Sequence, residues 1–211
     1  MGPPKDLLPL IERSRRHFRV LSDEERHESL TNTLAQHHEN DIWVFGYGSL
    51  VWRPEFHYTE KRAATLHGYH RALCLWSRVN RGTPERPGLV FGLDSGGYCE
   101  GVAYKLTQEN RQQALQQLWQ REMPTGAYEP RWVNCETPDG PVRALGFTVN
   151  RDTPAYTGQL STDHLVWIIQ GASGIYGSCT EYVIETAKAL SAAKIEDKSL
   201  NHLVAQLNAL C

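Results

Sequence analysis

The chain has 211 residues and a formal net charge of −2, with acidic and basic side chains interspersed. That length can bury a core of its own, most simply in one domain. The charge balance offers no basic tract for nucleic acid, and no apolar run approaches the roughly eighteen residues of a membrane span. Lys5, Glu12, Arg13, Arg15 and Arg16 come too early for the apolar region of a signal peptide. Cys74, Cys99, Cys135, Cys179 and Cys211 are scattered and odd in number, without metal-ligand spacing. They read as reduced thiols of a cytoplasmic protein.

Residues 5–38 predict two helices. Leu7, Leu8, Leu10 and Ile11 begin the first, and Ser22 with Glu25 forms a capping box for the second. This charged segment reads as a peripheral helical pair packed by its leucines, with a docking arm as the alternative. The expected division is a helical extension over 1–40 and a single domain over 41–211. From Asp41 onward the pattern is strand-like, over 42–47, 63–76, 88–93 and 99–106. One helix interrupts at about 108–123. Strands over 128–135 and 141–149 frame Thr137-Pro138-Asp139-Gly140, a hairpin turn. Helices follow at 161–170, 178–194 and 199–210. Strands first and helices last predict an α+β fold.

Two places could carry chemistry. Trp43-Val44-Phe45-Gly46-Tyr47-Gly48-Ser49-Leu50-Val51-Trp52 is a buried strand running into two glycines and a serine. Such a turn can present backbone N–H groups and a hydroxyl to an anion or a carbonyl oxygen. A plain tight turn after a core strand satisfies the same residues. The loop is not a dinucleotide fingerprint, a P-loop or a nucleophile elbow.

The second place is Glu122. Ala114, Leu115, Leu118 and Trp119 form the apolar stripe of the 108–123 helix, and Glu122 continues it in the last turn before Pro124. Both the helix dipole and an apolar surround disfavour its ionised form. A glutamate so tuned suits a general base that must return its proton. A glutamate paired to Arg121 or Arg131 at a frayed helix end is the alternative.

The loop is similar to the signature loop of the ChaC family, the glutathione-specific γ-glutamylcyclotransferases. Asn80-Arg81-Gly82-Thr83 with Arg86-Pro87-Gly88, Gly101-Val102-Ala103-Tyr104-Lys105-Leu106, Trp119-Gln120-Arg121-Glu122-Met123, and Ala172-Ser173-Gly174 through Thr180-Glu181-Tyr182 resemble further blocks of that family, in its order, over about residues 42–190. Leu89 departs from it, since many members carry arginine there.

The resemblance implies a small mixed β-barrel-like sheet with flanking helices. It also implies cleavage of glutathione to 5-oxoproline and Cys-Gly, with Glu122 making both proton transfers. The turn formed by Gly46, Tyr47, Gly48, Ser49, Leu50 and Val51 would hold the glutamyl group. Neither metal nor nucleotide is required, and no other cofactor is implied.

Arg81, and less so Arg78, could hold the glycine carboxylate of glutathione, unless they are solvated loop arginines. Tyr182 could line the glutamyl pocket or be a core tyrosine with a bonded tip; Tyr128 is a weaker candidate. His67 and His70 face opposite sides of a strand, and His37-His38 adjoin a polar turn, so the histidines build no metal site. Cys74 and Cys179 read as small buried side chains. The other readings are a cyclotransferase for other γ-glutamyl peptides or amines, a non-catalytic γ-glutamyl-binding regulator tied to cation transport, and a Ser49 hydrolase.

Overall fold

The computed structural model describes residues 4–16 and 19–209; the expectations for Cys211 and for position 210 of the last helix lie outside the described residues. In chain order the elements are α1 (Leu8–Arg16), α2 (Asp23–Leu34), β1 (Trp43–Gly46), β2 (Tyr58–Ser77), β3 (Gly88–Leu106), α3 (Arg111–Glu122), β4 (Tyr128–Glu136), β5 (Val142–Val149), α4 (Thr162–Gly171), β6 (Ser173–Gly174), β7 (Gly177–Ser178), α5 (Cys179–Ala192) and α6 (Lys198–Ala209). They form two compact units. One comprises Met1–Phe18, Ala72–Gly92 and Arg151–Cys211; the other comprises Arg19–Arg71 and Leu93–Asn150.

The second unit is built around a mixed barrel, as the resemblance implies. Its strands close in the order β1-β3-β2-β4-β5. β1 runs antiparallel to β3 and parallel to β5. β1 is buried at all four positions, which is why its sequence is a continuous apolar run instead of an alternation. β4 and β5 form the predicted hairpin. Its turn is closed by the Thr137 hydroxyl, which donates to the Gly140 carbonyl at 2.5 Å. Val44, Phe45, Leu145 and Phe147 fill the interior. From α3, Trp119 meets Phe147 edge-on with ring centroids 5.5 Å apart.

α2 belongs to this unit. Its capping box is present: the Glu25 N–H donates to the Ser22 hydroxyl at 3.1 Å, and the Ser22 N–H donates to the Glu25 carboxylate at 2.8 Å. Two indoles tie α2 down. Trp119 Nε1 donates to Ser29 Oγ at 3.2 Å and Trp132 Nε1 to the Thr33 carbonyl at 2.8 Å.

The first unit gathers α1 and α4–α6. Leu7, just before α1, and Ile11 within it are buried, whereas Leu8 is exposed. The short β6–β7 hairpin has no periodicity to announce it. It is stitched down by two amides, since the N–H of Ile175 donates to the Val79 carbonyl at 2.9 Å and that of Tyr176 to the Asn80 carbonyl at 3.0 Å.

One expectation fails in an informative way. The sequence predicts separate strands over 88–93 and 99–106. β3 instead runs through them, with φ of +101° at Gly96 and +70° at Gly97. The glycines bend the strand without ending it.

Gly101 sets how closely β1 and β3 approach. A Cβ there would lie 2.4 Å from the Gly46 carbonyl oxygen and 2.8 Å from the Phe45 ring. Gly101→Ala is expected to destabilise the protein by about 1–3 kcal/mol, the usual cost of overpacking. The check is a urea denaturation midpoint at unchanged slope; an unchanged midpoint would mean that the strands separate freely.

Candidate active site

The loop after β1 is fixed from several sides. The Tyr47 hydroxyl donates to the Phe147 carbonyl at 2.7 Å, and the Tyr47 carbonyl accepts from Arg71 Nε at 2.5 Å. Arg71 also donates to the Glu100 carbonyl. The Tyr104 hydroxyl donates to the Val51 carbonyl at 3.1 Å. Burial, then the neighbouring Tyr58, pushes the Tyr104 phenol up to about 12, so it remains a donor at neutral pH. Gly46 lets the loop fold back. A Cβ there would stand 3.1 Å from the Leu50 Cβ and 3.2 Å from the Tyr104 ring.

Ser49–Val51 then forms a single 3-10 turn. The amides of Val51, Trp52 and Arg53 are used in it, donating to the carbonyls of Gly48, Ser49 and Ser49 respectively. Val51 therefore has no amide to offer a ligand. Among the described residues, the amides of Gly48, Ser49 and Leu50 have no intramolecular partner. Three neighbouring N–H groups in a buried, braced turn can stabilise a carboxylate or a developing oxyanion.

Glu122 is the last residue of α3. Ala114, Leu115, Leu118 and Trp119 are buried as the periodicity predicts, and the Glu122 side chain keeps only 14% of its surface. Burial raises its pKa; Arg121 opposes that and the negative charge of Glu55 adds to it.

The pairing with Arg121 is also present, since Glu122 Oε1 lies 3.1 Å from Arg121 Nε. Arg131 instead pairs with Glu129. Arg121 reaches further than the sequence suggests. It donates to Ser49 Oγ at 2.9 Å, to the Arg53 carbonyl at 2.5 Å and to Glu55 at 2.8 Å. The helix end and the glycine loop are thereby joined through one guanidinium. From the sequence Arg121 is legible only as a charge neighbour of Glu122, and Arg71 and Glu55 carry no mark of a role. The one available signal was the run Arg53-Pro54-Glu55, a charged pair just past the loop.

The Ser49 hydroxyl faces that guanidinium, which has no acceptor for a proton. This is not the arrangement that activates a serine nucleophile.

Arg81 and Tyr182 lie together in the first unit. The Arg81 side chain is 7% exposed, 3.6 Å from the Glu181 carboxylate. It donates to the Ser178 carbonyl at 3.3 Å and sits 5.3 Å over the Tyr182 ring. The Tyr182 hydroxyl accepts from the Phe91 N–H at 3.1 Å. Arg78 is buried, donates to the Ser14 carbonyl, and has its pKa lowered by that burial. Neither arginine is a solvated loop residue. Leu89 is wholly buried, and its N–H donates to Cys179 Sγ at 3.3 Å.

Tyr128 is half-buried at the start of β4. His67 stands 3.4 Å from Glu136, whereas His70 bonds the Gly96 carbonyl. Among the described residues, no group of three or more His, Cys, Asp or Glu could hold a metal ion. Cys74, Cys99, Cys135 and Cys179 are buried. Burial pushes the Cys179 thiol up to about 11, which keeps it from acting as a thiolate.

A solved structure with the same fold is a yeast γ-glutamyl cyclotransferase specific to glutathione. It superposes with a TM-score of 0.74 over 81% of this chain and 97% of that one, at 24% identity. The barrel with its braced loop thus places the chain in the cyclotransferase fold class. A family model described as ChaC-like protein matches residues 42–210. The glutathione-specific γ-glutamylcyclotransferase of Escherichia coli K12 is 38% identical over 90% of this chain and 83% of its own length. The human glutathione-specific γ-glutamylcyclotransferase 1 is 34% identical over 72% of this chain and 73% of its own. The chain belongs to the ChaC family.

The brace on the loop can be tested alone. Tyr47→Phe strips the Phe147 carbonyl of its donor and is expected to lower stability by about 1–3 kcal/mol. Denaturation measures this, and a midpoint equal to wild type would show that the hydroxyl carries no load.

Proposed function

We propose that this chain cleaves glutathione to 5-oxoproline and Cys-Gly. The observation that carries the reading is the buried Glu122 carboxylate, joined through Arg121 to a turn with three unengaged amides. The glutamyl α-amine attacks its own γ-carbonyl carbon. A new carbon–nitrogen bond closes the lactam, and the amide bond to cysteine breaks. Glu122 takes a proton from the α-ammonium and returns it to the departing cysteinyl nitrogen; the second proton, lost as the lactam forms, goes by the same route, so Cys-Gly leaves as its ammonium and no water is consumed. Tethered attack can supply roughly 7–11 kcal/mol of the barrier once the geometry is held. The amides of Gly48, Ser49 and Leu50 hold the glutamyl carboxylate or the oxyanion, with Gly46 and Tyr47 shaping the turn and Val51 closing it.

Residues 41–211 carry this activity and 1–40 are an extension. Buried cysteines scattered along the chain without metal-ligand spacing suit a reducing compartment, and we place the protein in the cytoplasm. No helix among the described residues is long and apolar enough to cross a membrane.

Products identified by mass spectrometry after incubation with glutathione test the reaction. The expected pair is 5-oxoproline and Cys-Gly; free glutamate would indicate hydrolysis, and no product would indicate a binder. γ-Glutamyl-alanine, offered in parallel, is expected to be the poorer substrate. Glu122→Gln should reduce kcat by about 10²–10⁴-fold, the usual weight of general acid–base catalysis. The base works ionised, and its pKa is raised. Activity should therefore fall with falling pH at a midpoint above the ordinary glutamate value of 4.5. A Glu122→Gln enzyme with wild-type kcat would remove Glu122 from the mechanism.

A further inference from the structure

Neighbouring residues on a helix do not face one another, yet Arg121 curls back to put its Nε 3.1 Å from the Glu122 carboxylate. The rest of its fork points away from α3 into the segment 49–55, where it meets the Ser49 hydroxyl, the Arg53 carbonyl and the Glu55 carboxylate. Its side chain is 22% exposed, so this is not a loose surface pair.

Glu55 is unusual in its own right. It follows Pro54 and has φ of +57°, a left-handed conformation uncommon for a non-glycine residue. Two arginines hold it, Arg53 at 2.6 Å and Arg121 at 2.8 Å. One cation, Arg121, is thus shared between two carboxylates, one that reacts and one that does not.

We infer that Arg121 is the positioning residue of the reaction and that Glu55 is its anchor: together they hold the Ser49 turn and the Glu122 carboxylate in one fixed geometry. This rests on the reading of Glu122 as the acid–base group. The charges acting on Glu122 are Arg121 from its own helix and Glu55 from the facing loop, with Arg53 of that loop directed at Glu55. The two act on it in opposite senses. Removing Arg121 strips Glu122 of its only recorded cation among the described residues. Removing the charge of Glu55 takes away a like charge and leaves Glu122 as the one carboxylate on Arg121 among the described residues. Lysine cannot replace the fork, because a single ammonium does not span the hydroxyl, the carbonyl and both carboxylates.

The test is the pH dependence of kcat/KM for glutathione in wild type, Arg121→Gln, Arg121→Lys and Glu55→Gln, with Glu122→Gln alongside. Arg121→Gln should move the acid limb to higher pH, and Glu55→Gln should move it to lower pH. Arg121→Lys should move the limb less than Arg121→Gln, yet lose at least about tenfold in plateau kcat/KM, the scale of lost charge-assisted hydrogen bonds. Circular dichroism checks that each variant folds; if the Arg121 variants do not, the direction of the Glu55→Gln limb decides. Limbs that stay put, or that move the same way in both glutamine variants, overturn the inference while an inactive Glu122→Gln leaves the acid–base reading standing. An active Glu122→Gln overturns both.

Discussion

An ionised carboxylate taken out of water is costly unless charge or hydrogen bonds replace what it loses. Glu122 is placed where that replacement is incomplete. The apolar stripe of α3 delivers it to the interior, and the helix end adds the unfavourable end of the backbone dipole. Among the described residues only Arg121 offsets this, and Arg121 is divided among other partners. The outcome is a group whose charged and neutral forms are closer in free energy than those of a solvated glutamate. That is the condition for taking a proton and giving it back within one turnover.

The barrel supplies what a side chain alone cannot, a backbone held still. β1 ends beneath the turn because its four residues are locked between β3 and β5. Gly101 permits the close approach of β3, and Gly46 permits the fold-back of the loop. The braces then come from three directions, through Phe147 on β5, Arg71 on β2 and Tyr104 on β3. The anion site proposed for the amides needs this, since amides stabilise charge without reorganising only if they are already aimed.

The sequence made these features legible to different degrees. Period was readable: the α3 stripe, the β4–β5 hairpin and the Ser22 box all rest on local chemistry and appear where spacing puts them. The continuity of β3 through Gly96-Gly97 was not readable, because only strand pairing decides whether a glycine pair bends a strand or ends it. The β6–β7 hairpin was invisible for a related reason: it is held by amides of Ile175 and Tyr176 on carbonyls far away in sequence. At the site, Glu122 and the glycine turn could be named from pattern and resemblance, while Arg71, Glu55 and the reach of Arg121 could not. Their partners are 24 to 72 positions distant, and a charged residue on a helix carries no mark of where its end will go.

That difference follows from how the two kinds of residue act. A base or an amide turn acts where it stands, so its own chemistry and its immediate neighbours describe it. A positioning residue acts by connecting, and a connection exists only once the chain has folded. Arg121 shows the consequence. Read alone it is an ordinary helix-end cation favoured by the dipole. In the fold it decides whether the Ser49 turn and the Glu122 carboxylate belong to one site, because the same planar fork touches both. Glu55, held in a left-handed conformation by two arginines, keeps that fork from settling wholly on Glu122. A free guanidinium would pair fully with the buried carboxylate and hold it ionised. If Glu122 is the base, as proposed, the retained competitor leaves it poised, and the least conspicuous carboxylate of the loop then governs the most conspicuous one of the helix.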